Sequence, residues 1–222
     1  MPNWTKNVLI FKKKEDFEGF LSKYVDEEGD VNFNRIILRP EELNDTISGG
    51  KIMECIACYL FSTESKDKAL EILKEIDKNF HVPNIELTAF EIKAKLRERC
   101  FNLRMFNSEY ETGAKKEYTP EEIGEHYYNL YLKYGHIDWY TWSCENWGTK
   151  WNACDTYIDD KEMMISFDTA WSRPCGIYKK IADDNPDWDI QIRLAYENGG
   201  KYNEKIRKGK YEKLFGKLIE TA

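Results

Sequence analysis

Asp189-Ile190-Gln191-Ile192-Arg193-Leu194-Ala195-Tyr196 places Ile190, Ile192, Leu194 and Tyr196 on one side of an extended chain and Gln191, Arg193 and Ala195 on the other. That period of two is the mark of a strand buried on one face. Immediately upstream, Pro174 stands where a helix can begin. Ile177, Tyr178, Ile181 and Ala182 form its apolar side, and Asn185-Pro186 ends it. Further back, Ala153 to Ile158 and Met163 to Phe167 read as two strands joined by the acidic turn Asp159-Asp160-Lys161. At the other end of the chain, Asn7 to Phe11 is a short apolar strand. It is followed by Lys14 to Val25, where Phe17, Phe20, Leu21 and Tyr24 recur at helical spacing. Val31 to Leu38, with Ile36-Ile37-Leu38 stopping before Pro40, reads as another strand. Tyr202 to Ile219 reads as a basic terminal helix interrupted at Gly209 and Gly216.

The middle of the chain has a different period. Ile52 to Phe61 is apolar and contains cysteines. Ser65 to Phe80 sets Ala69, Leu70, Ile72, Leu73 and Ile76 on one stripe, with Ser65 as N-cap and Pro83 beyond the end. Glu86 to Phe106 carries a second helical pattern. Thr119-Pro120-Glu121-Glu122 is a helix start, with a capping Thr, Pro at the first position and Glu three residues after the Thr; the helix runs to Tyr134 and stops at Gly135. The expectation is an α+β fold: a ferredoxin-like antiparallel sheet with helices on one face, built from residues 1–45 and 136–222. A mainly helical insertion, residues 46–135, interrupts it.

Composition narrows the function classes. The 222 residues carry 33 Lys and Arg against 40 Asp and Glu, a net charge of −7. This argues against a general nucleic-acid binder, whose affinity comes from neutralising phosphates. Hydrophobic residues at 41% and aromatics at 14% supply a sizeable core and exclude a disordered chain. No apolar run approaches the roughly 20 residues of a membrane span, and the start Met1-Pro2-Asn3-Trp4-Thr5-Lys6 lacks the order of a signal peptide. A cytoplasmic protein with no membrane partner is expected, and its six cysteines are expected to be reduced thiols.

Catalytic and cofactor signatures are weak throughout. Cys55-Ile56-Ala57-Cys58 has the spacing of a metal knuckle or redox pair. No second close pair of Cys or His completes a zinc site, and the apolar neighbours favour two buried thiols, so neither metal nor cofactor is expected. His81, His126 and His136 are isolated. No Gly-x-Ser-x-Gly elbow is present, and Ser48-Gly49-Gly50-Lys51 and Asn198-Gly199-Gly200-Lys201 lack the spacing of phosphate loops and read as turns. Paired carboxylates such as Asp26-Glu27-Glu28 and Asp183-Asp184 are what solvated turns contain in an acidic chain.

The strongest local signal is aromatic. Trp139, Tyr140, Trp142, Trp147 and Trp151 fall within thirteen residues, and Trp171 follows in Phe167-Asp168-Thr169-Ala170-Trp171-Ser172-Arg173-Pro174. Rings this large either pack over the sheet, the commoner role of Trp, or form an exposed contact surface. As a contact surface the candidates are Trp139, Trp142, Trp147, Lys150, Trp151, Trp171 and Arg173. If the chain were a small-molecule or nucleotide-processing enzyme, Asp168, Glu145 and Lys150 would be the residues to test.

Met1-Pro2-Asn3-Trp4 with Asn7, Phe33-Asn34-Arg35-Ile36-Ile37, Trp139-Tyr140-Thr141-Trp142, Asn146-Trp147-Gly148-Thr149-Lys150-Trp151-Asn152-Ala153, Phe167-Asp168-Thr169-Ala170-Trp171 and Ala195-Tyr196-Glu197-Asn198-Gly199-Gly200 occur in an order that resembles the YubB-like family of plasmid and phage proteins. The likeness spans both ends of the chain and thins out across residues 45–135. Arg173-Pro174-Cys175 stands where the family commonly has two adjacent prolines. The resemblance implies a ferredoxin-like domain and a mobile genetic element as context, with no catalytic residues to carry over. The leading expectation is a non-enzymatic accessory protein that binds a host protein or nucleoprotein complex, for example to inhibit a defence system such as a CRISPR nuclease. The insertion and the exposed members of the Trp-rich segment would supply the contact. Single-stranded nucleic acid on an aromatic sheet face is a third reading, which needs exposed rings beside basic residues.

Overall fold

The computed structural model describes residues 3–82, 84–100 and 118–214. The chain divides into two compact units, Met1–Pro40 with Tyr140–Ala222, and Glu41–Trp139. In the first unit a sheet is built from β1 (Trp4–Phe11), β2 (Cys154–Asp159), β3 (Met164–Ala170), β4 (Asp189–Tyr196), β5 (Lys201–Arg207) and β6 (Lys210–Leu214). Its order is β2-β3-β1-β4-β5-β6, with every pair antiparallel. Together with helices α1 (Lys14–Tyr24) and α7 (Cys175–Asp184), the first four strands make the ferredoxin-like βαββαβ unit.

The registers show which face each residue takes. Thr5, Asn7, Leu9 and Phe11 of β1 stand opposite Thr169, Phe167 and Ile165 on one side and Tyr196, Leu194, Ile192 and Ile190 on the other. This face is buried. Both helices lie on it: Phe17 and Phe20 of α1 meet the Phe11 ring at 5.6 and 5.4 Å, and the Tyr178 hydroxyl of α7 donates to Asn7 Oδ1 at 2.7 Å. The opposite face carries Lys6, Asp168, Arg193, Lys201 and Tyr157, of which Lys6, Arg193, Lys201 and Tyr157 are exposed.

Two sequence expectations are corrected. Val31 to Leu38 is not a strand: Val31 forms an isolated bridge with Val25, and Phe33–Arg35 is a 3-10 turn. Side chains take the backbone donors that a ladder would use. Thr156 Oγ1 accepts from Val31 N, Asn152 Oδ1 from Phe33 N, Asn32 Oδ1 from Asn34 N and Asn34 Oδ1 from Arg39 N. The second strand of the βαβ crossover is instead β2, reached in sequence only after the helical unit. Tyr202 to Ile219 is not a helix as far as it is described. It forms the β5–β6 hairpin, with Lys208 and Gly209 at φ 52° and 67°, the two positive values a tight hairpin turn requires. Gly209 is thus a turn residue. Residues 215–219 of that expected helix lie outside the described residues, as do Pro83 and residues 101–106 of the Glu86 to Phe106 pattern.

The second unit is helical: α2 (Gly50–Thr63), α3 (Lys66–Ile76), α4 (Ala89–Cys100) and α5 (Pro120–Tyr134), with α2 packed against the other three. Ser65 Oγ caps α3. Thr119 and Glu122 form the reciprocal capping box of α5, and Gly135 ends that helix in the left-handed region at φ 72°. α5 crosses α2 so closely that a Cβ on Gly124 would lie 2.0 Å from the Cys55 carbonyl oxygen. Short α6 (Trp139–Asn146) begins where the helical unit ends and was not separately legible in the sequence.

Candidate functional site

Trp147, Thr149 and Asn152 are anchored to Ile37, Ala170 and the Asn32-Phe33 segment, and these anchors decide which way the residues between them face. Trp147 is 1% exposed. Its ring meets Phe33 and Trp142 at 5.7 Å each, and its indole N–H donates to the Ile37 carbonyl at 2.9 Å. Gly148 follows at φ 88°, where a Cβ would come 2.7 Å from Cys175 N, so only glycine makes this turn. Thr149 Oγ1 donates to the Ala170 carbonyl, and Ser172 Oγ donates to the Gly148 carbonyl. Asn152 donates to Asn32 and accepts from Phe33 N. Between these anchors, Lys150 and Trp151 are left to project outward.

They meet two other tryptophans. The Trp151 ring lies 6.2 Å from Trp4 at the start of β1. Lys150 Nζ sits 3.9 Å from the Trp151 ring centroid and 5.7 Å from that of Trp171, within the range of cation–π attraction. Trp151 and Trp171 are 41% and 53% exposed. Trp171 is also held at φ 71°, its N–H bonded to the Asn3 carbonyl at 2.7 Å. The left-handed region costs a bulky residue about 1 kcal/mol or more, and a half-exposed ring recovers little of that by burial.

The structure therefore brings together Lys150, Trp151 and Trp171 and adds Trp4, which sequence reasoning missed as a site residue. Trp4 could have been found from its place at the head of a strand that pairs with Ala170. Trp142 and Trp147 are buried core. Trp139 belongs to the helical unit, where its N–H donates to Thr46 Oγ1. Arg173 turns to the helix-covered side of the sheet and pairs with Glu204 at 3.2 Å, the Glu204 side chain being 2% exposed. The Tyr211 hydroxyl donates to the same carboxylate. Burial pushes the Tyr211 and Tyr178 hydroxyls well above the ordinary tyrosine value, so both act as neutral donors.

Among the residues considered for catalysis, Asp168 lies beside Lys6 on the open sheet face, Lys150 is on the tryptophans and Glu145 is on α6. Burial pushes the Asp168 carboxyl above its usual value; Lys6 opposes this, while Asp155 and Glu197 add to it. A raised native pKa means that the folded state holds this proton more tightly. Its contribution to stability is complete below the ordinary aspartate value and is lost as pH rises through the raised one. Asp168→Asn removes that dependence. Urea midpoints of the variant against the parent should diverge in the variant's favour as pH rises across this window; parallel curves would contradict the assignment.

Residues 146–221 match the family model described as the ferredoxin-like domain in Api92-like protein. Among solved structures the chain is similar to the protein api92 from Yersinia pseudotuberculosis, with 11% identity, 100% of each chain covered and a TM-score of 0.46. None of the curated proteins matches. No helix among the described residues is long and apolar enough to cross a membrane.

Proposed function

We propose that the chain is a non-enzymatic binding protein whose Trp4, Lys150, Trp151 and Trp171 cluster docks on a partner protein. One observation carries the reading: two half-exposed tryptophans, Trp151 and Trp171, flank a single lysine, Trp4 packs against Trp151, and Trp171 is in a strained backbone conformation. Trp is among the residues that dominate binding energy at protein interfaces, because a rigid amphipathic ring buries much area at little entropic cost. The anchors at Thr149 and Asn152 on either side hold Trp151 in place before binding, which lowers the ordering cost. The proposal takes its context from the resemblance to YubB-like proteins: a protein of a phage or plasmid that acts in the cytoplasm. The partner is then a host protein or nucleoprotein complex, and inhibition of a defence nuclease is the narrower form of the proposal.

The test is affinity purification of the tagged chain from nuclease-treated host lysate, beside a Trp151→Ser/Trp171→Ser variant. The parent should retain a stoichiometric protein, and the variant should bind it about 30-fold more weakly, as loss of a hot spot of about 2 kcal/mol requires. The variant's circular dichroism should be unchanged. A protein retained equally by both forms, or none retained by the parent, would overturn the reading.

Single-stranded nucleic acid is the second reading, favoured by exposed Lys6, Arg193, Lys201 and Tyr157 on the open sheet face. Its signature would be retention that disappears after nuclease treatment and weakens steeply with salt.

A further inference from the structure

Cys55 and Cys58 lie three residues apart on α2 and therefore on one side of that helix. Against them stands Cys100 of α4. The Cys55 and Cys100 sulfurs are 3.6 Å apart, and Cys55, Cys58 and Cys100 are at most 3% exposed. All three are free thiols. Packing alone calls for a small apolar group at each of these positions and does not require three sulfurs to converge. No group of three or more His, Cys, Asp or Glu among the described residues is arranged to hold a metal ion, so two-thiol chemistry fits the trio better than metal ligation.

We propose that these cysteines form a reversible thiol–disulfide site in which Cys100 bonds to Cys55. Their roles differ with position. Cys55 lies well inside α2 and is fully buried, whereas Cys100 of α4 is 3% exposed, so a reagent meets Cys100 first. The thiol hydrogen bond from Cys55 also pulls the Cys100 thiol down in pKa, the direction that suits an attacking sulfur.

The oxidant is a small disulfide of the glutathione class. The Cys100 thiolate attacks one sulfur of that reagent; the reagent's S–S bond breaks, and one thiolate leaves and takes a proton. Cys55, giving up its proton, then attacks Cys100 Sγ in the mixed disulfide and expels the second thiol. Two protein thiols have lost two electrons and two protons, and the reagent has become two thiols. Closing the bond requires the sulfurs to move from 3.6 Å to about 2.0 Å. The product ties α2 to α4, and excess thiol reverses it.

The test treats the folded, full-length chain with oxidised glutathione, quenches in acid, alkylates the remaining thiols and maps the cysteine peptides by mass spectrometry. The expected result is a Cys55–Cys100 cross-linked peptide lighter by two hydrogens. It should be absent after dithiothreitol, retained in Cys58→Ser and lost in Cys100→Ser. The oxidised chain should also show a higher urea midpoint than the reduced chain, because the link restricts the unfolded state. Exposed Cys144 serves as the internal control for reagent access. Modification of Cys144 with Cys55, Cys58 and Cys100 all recovered as thiols would overturn the proposal, as would a link confined to Cys55 and Cys58. The parent map decides the matter even if a serine variant does not fold.

Discussion

Trp147→Ala will cost the ferredoxin-like unit about 3–5 kcal/mol, against a total stability of roughly 5–15 kcal/mol for a domain. The side chain fills the space between Phe33, Trp142 and the Arg39 guanidinium, which lies 5.1 Å from its ring. Truncation opens a cavity among side chains tied to loops by specific hydrogen bonds, so the surroundings cannot collapse into it. The Ile37 carbonyl also loses its indole donor. The check is urea unfolding followed by circular dichroism, with Trp147→Phe as the graded control; phenylalanine keeps most of the packing and loses the hydrogen bond, so its midpoint should lie between the other two. Trp151→Ala, four residues away, should leave the midpoint near that of the parent and change partner retention instead. A Trp147→Ala protein as stable as the parent would mean that the ring is not the anchor described here.

Arg173→Ala is expected to be nearly as damaging, for an electrostatic reason. It leaves Glu204 buried without its cation on the helix-covered sheet face, with the Tyr211 hydroxyl still donating to it. Removing one partner of a buried ion pair costs about 3–5 kcal/mol. The Arg173 side chain is 22% exposed, so water reaches the site and the loss should fall near about 3 kcal/mol. Most of that cost is the orphaned charge, not the lost attraction. Combining Arg173→Met with Glu204→Gln should therefore recover much of the stability, and a double-mutant cycle in urea would read a coupling of about 1 kcal/mol or more. Simple additivity of the two substitutions would show that the pair does not act as a unit.

These two substitutions mark where sequence and structure part company over the candidate site. Trp147 and Trp151 are the same residue type, four apart around Gly148, and nothing in their local pattern distinguishes the buried ring from the exposed one. The distinction comes from Gly148 at φ 88° and from Thr149 and Asn152, whose partners at Ala170, Asn32 and Phe33 are far away in sequence. Arg173 likewise reads as a surface cation beside Trp171 until β5 brings Glu204 beneath it. Cys100 is 45 residues from Cys55, so the paired spacing of Cys55 and Cys58 gave no notice of a third sulfur.

Features whose hydrogen bonds and apolar faces are local were legible from residue order alone. Helix α7, the Ser65 cap, and the Thr119–Glu122 box with its Gly135 stop satisfy their own backbone within a few residues, and the alternation of Ile190, Ile192 and Leu194 shows its buried face within one strand, although that strand pairs with distant β1. The α+β class and its ferredoxin-like sheet follow from those elements in sequence. What tertiary structure decided were the elements and side chains that depend on a distant neighbour. Val31 to Leu38 has strand-like residues, yet the N–H groups of Val31, Phe33 and Asn34 go to Asn and Thr side chains and those of Arg35, Ile36 and Ile37 to carbonyls of its own turn. Residues 201–214 have helix-like charges and pair instead, beginning along the open edge of β4. Which tryptophans are core and which form a surface was decided in the same way, because burial is a property of what the rest of the chain places against a residue.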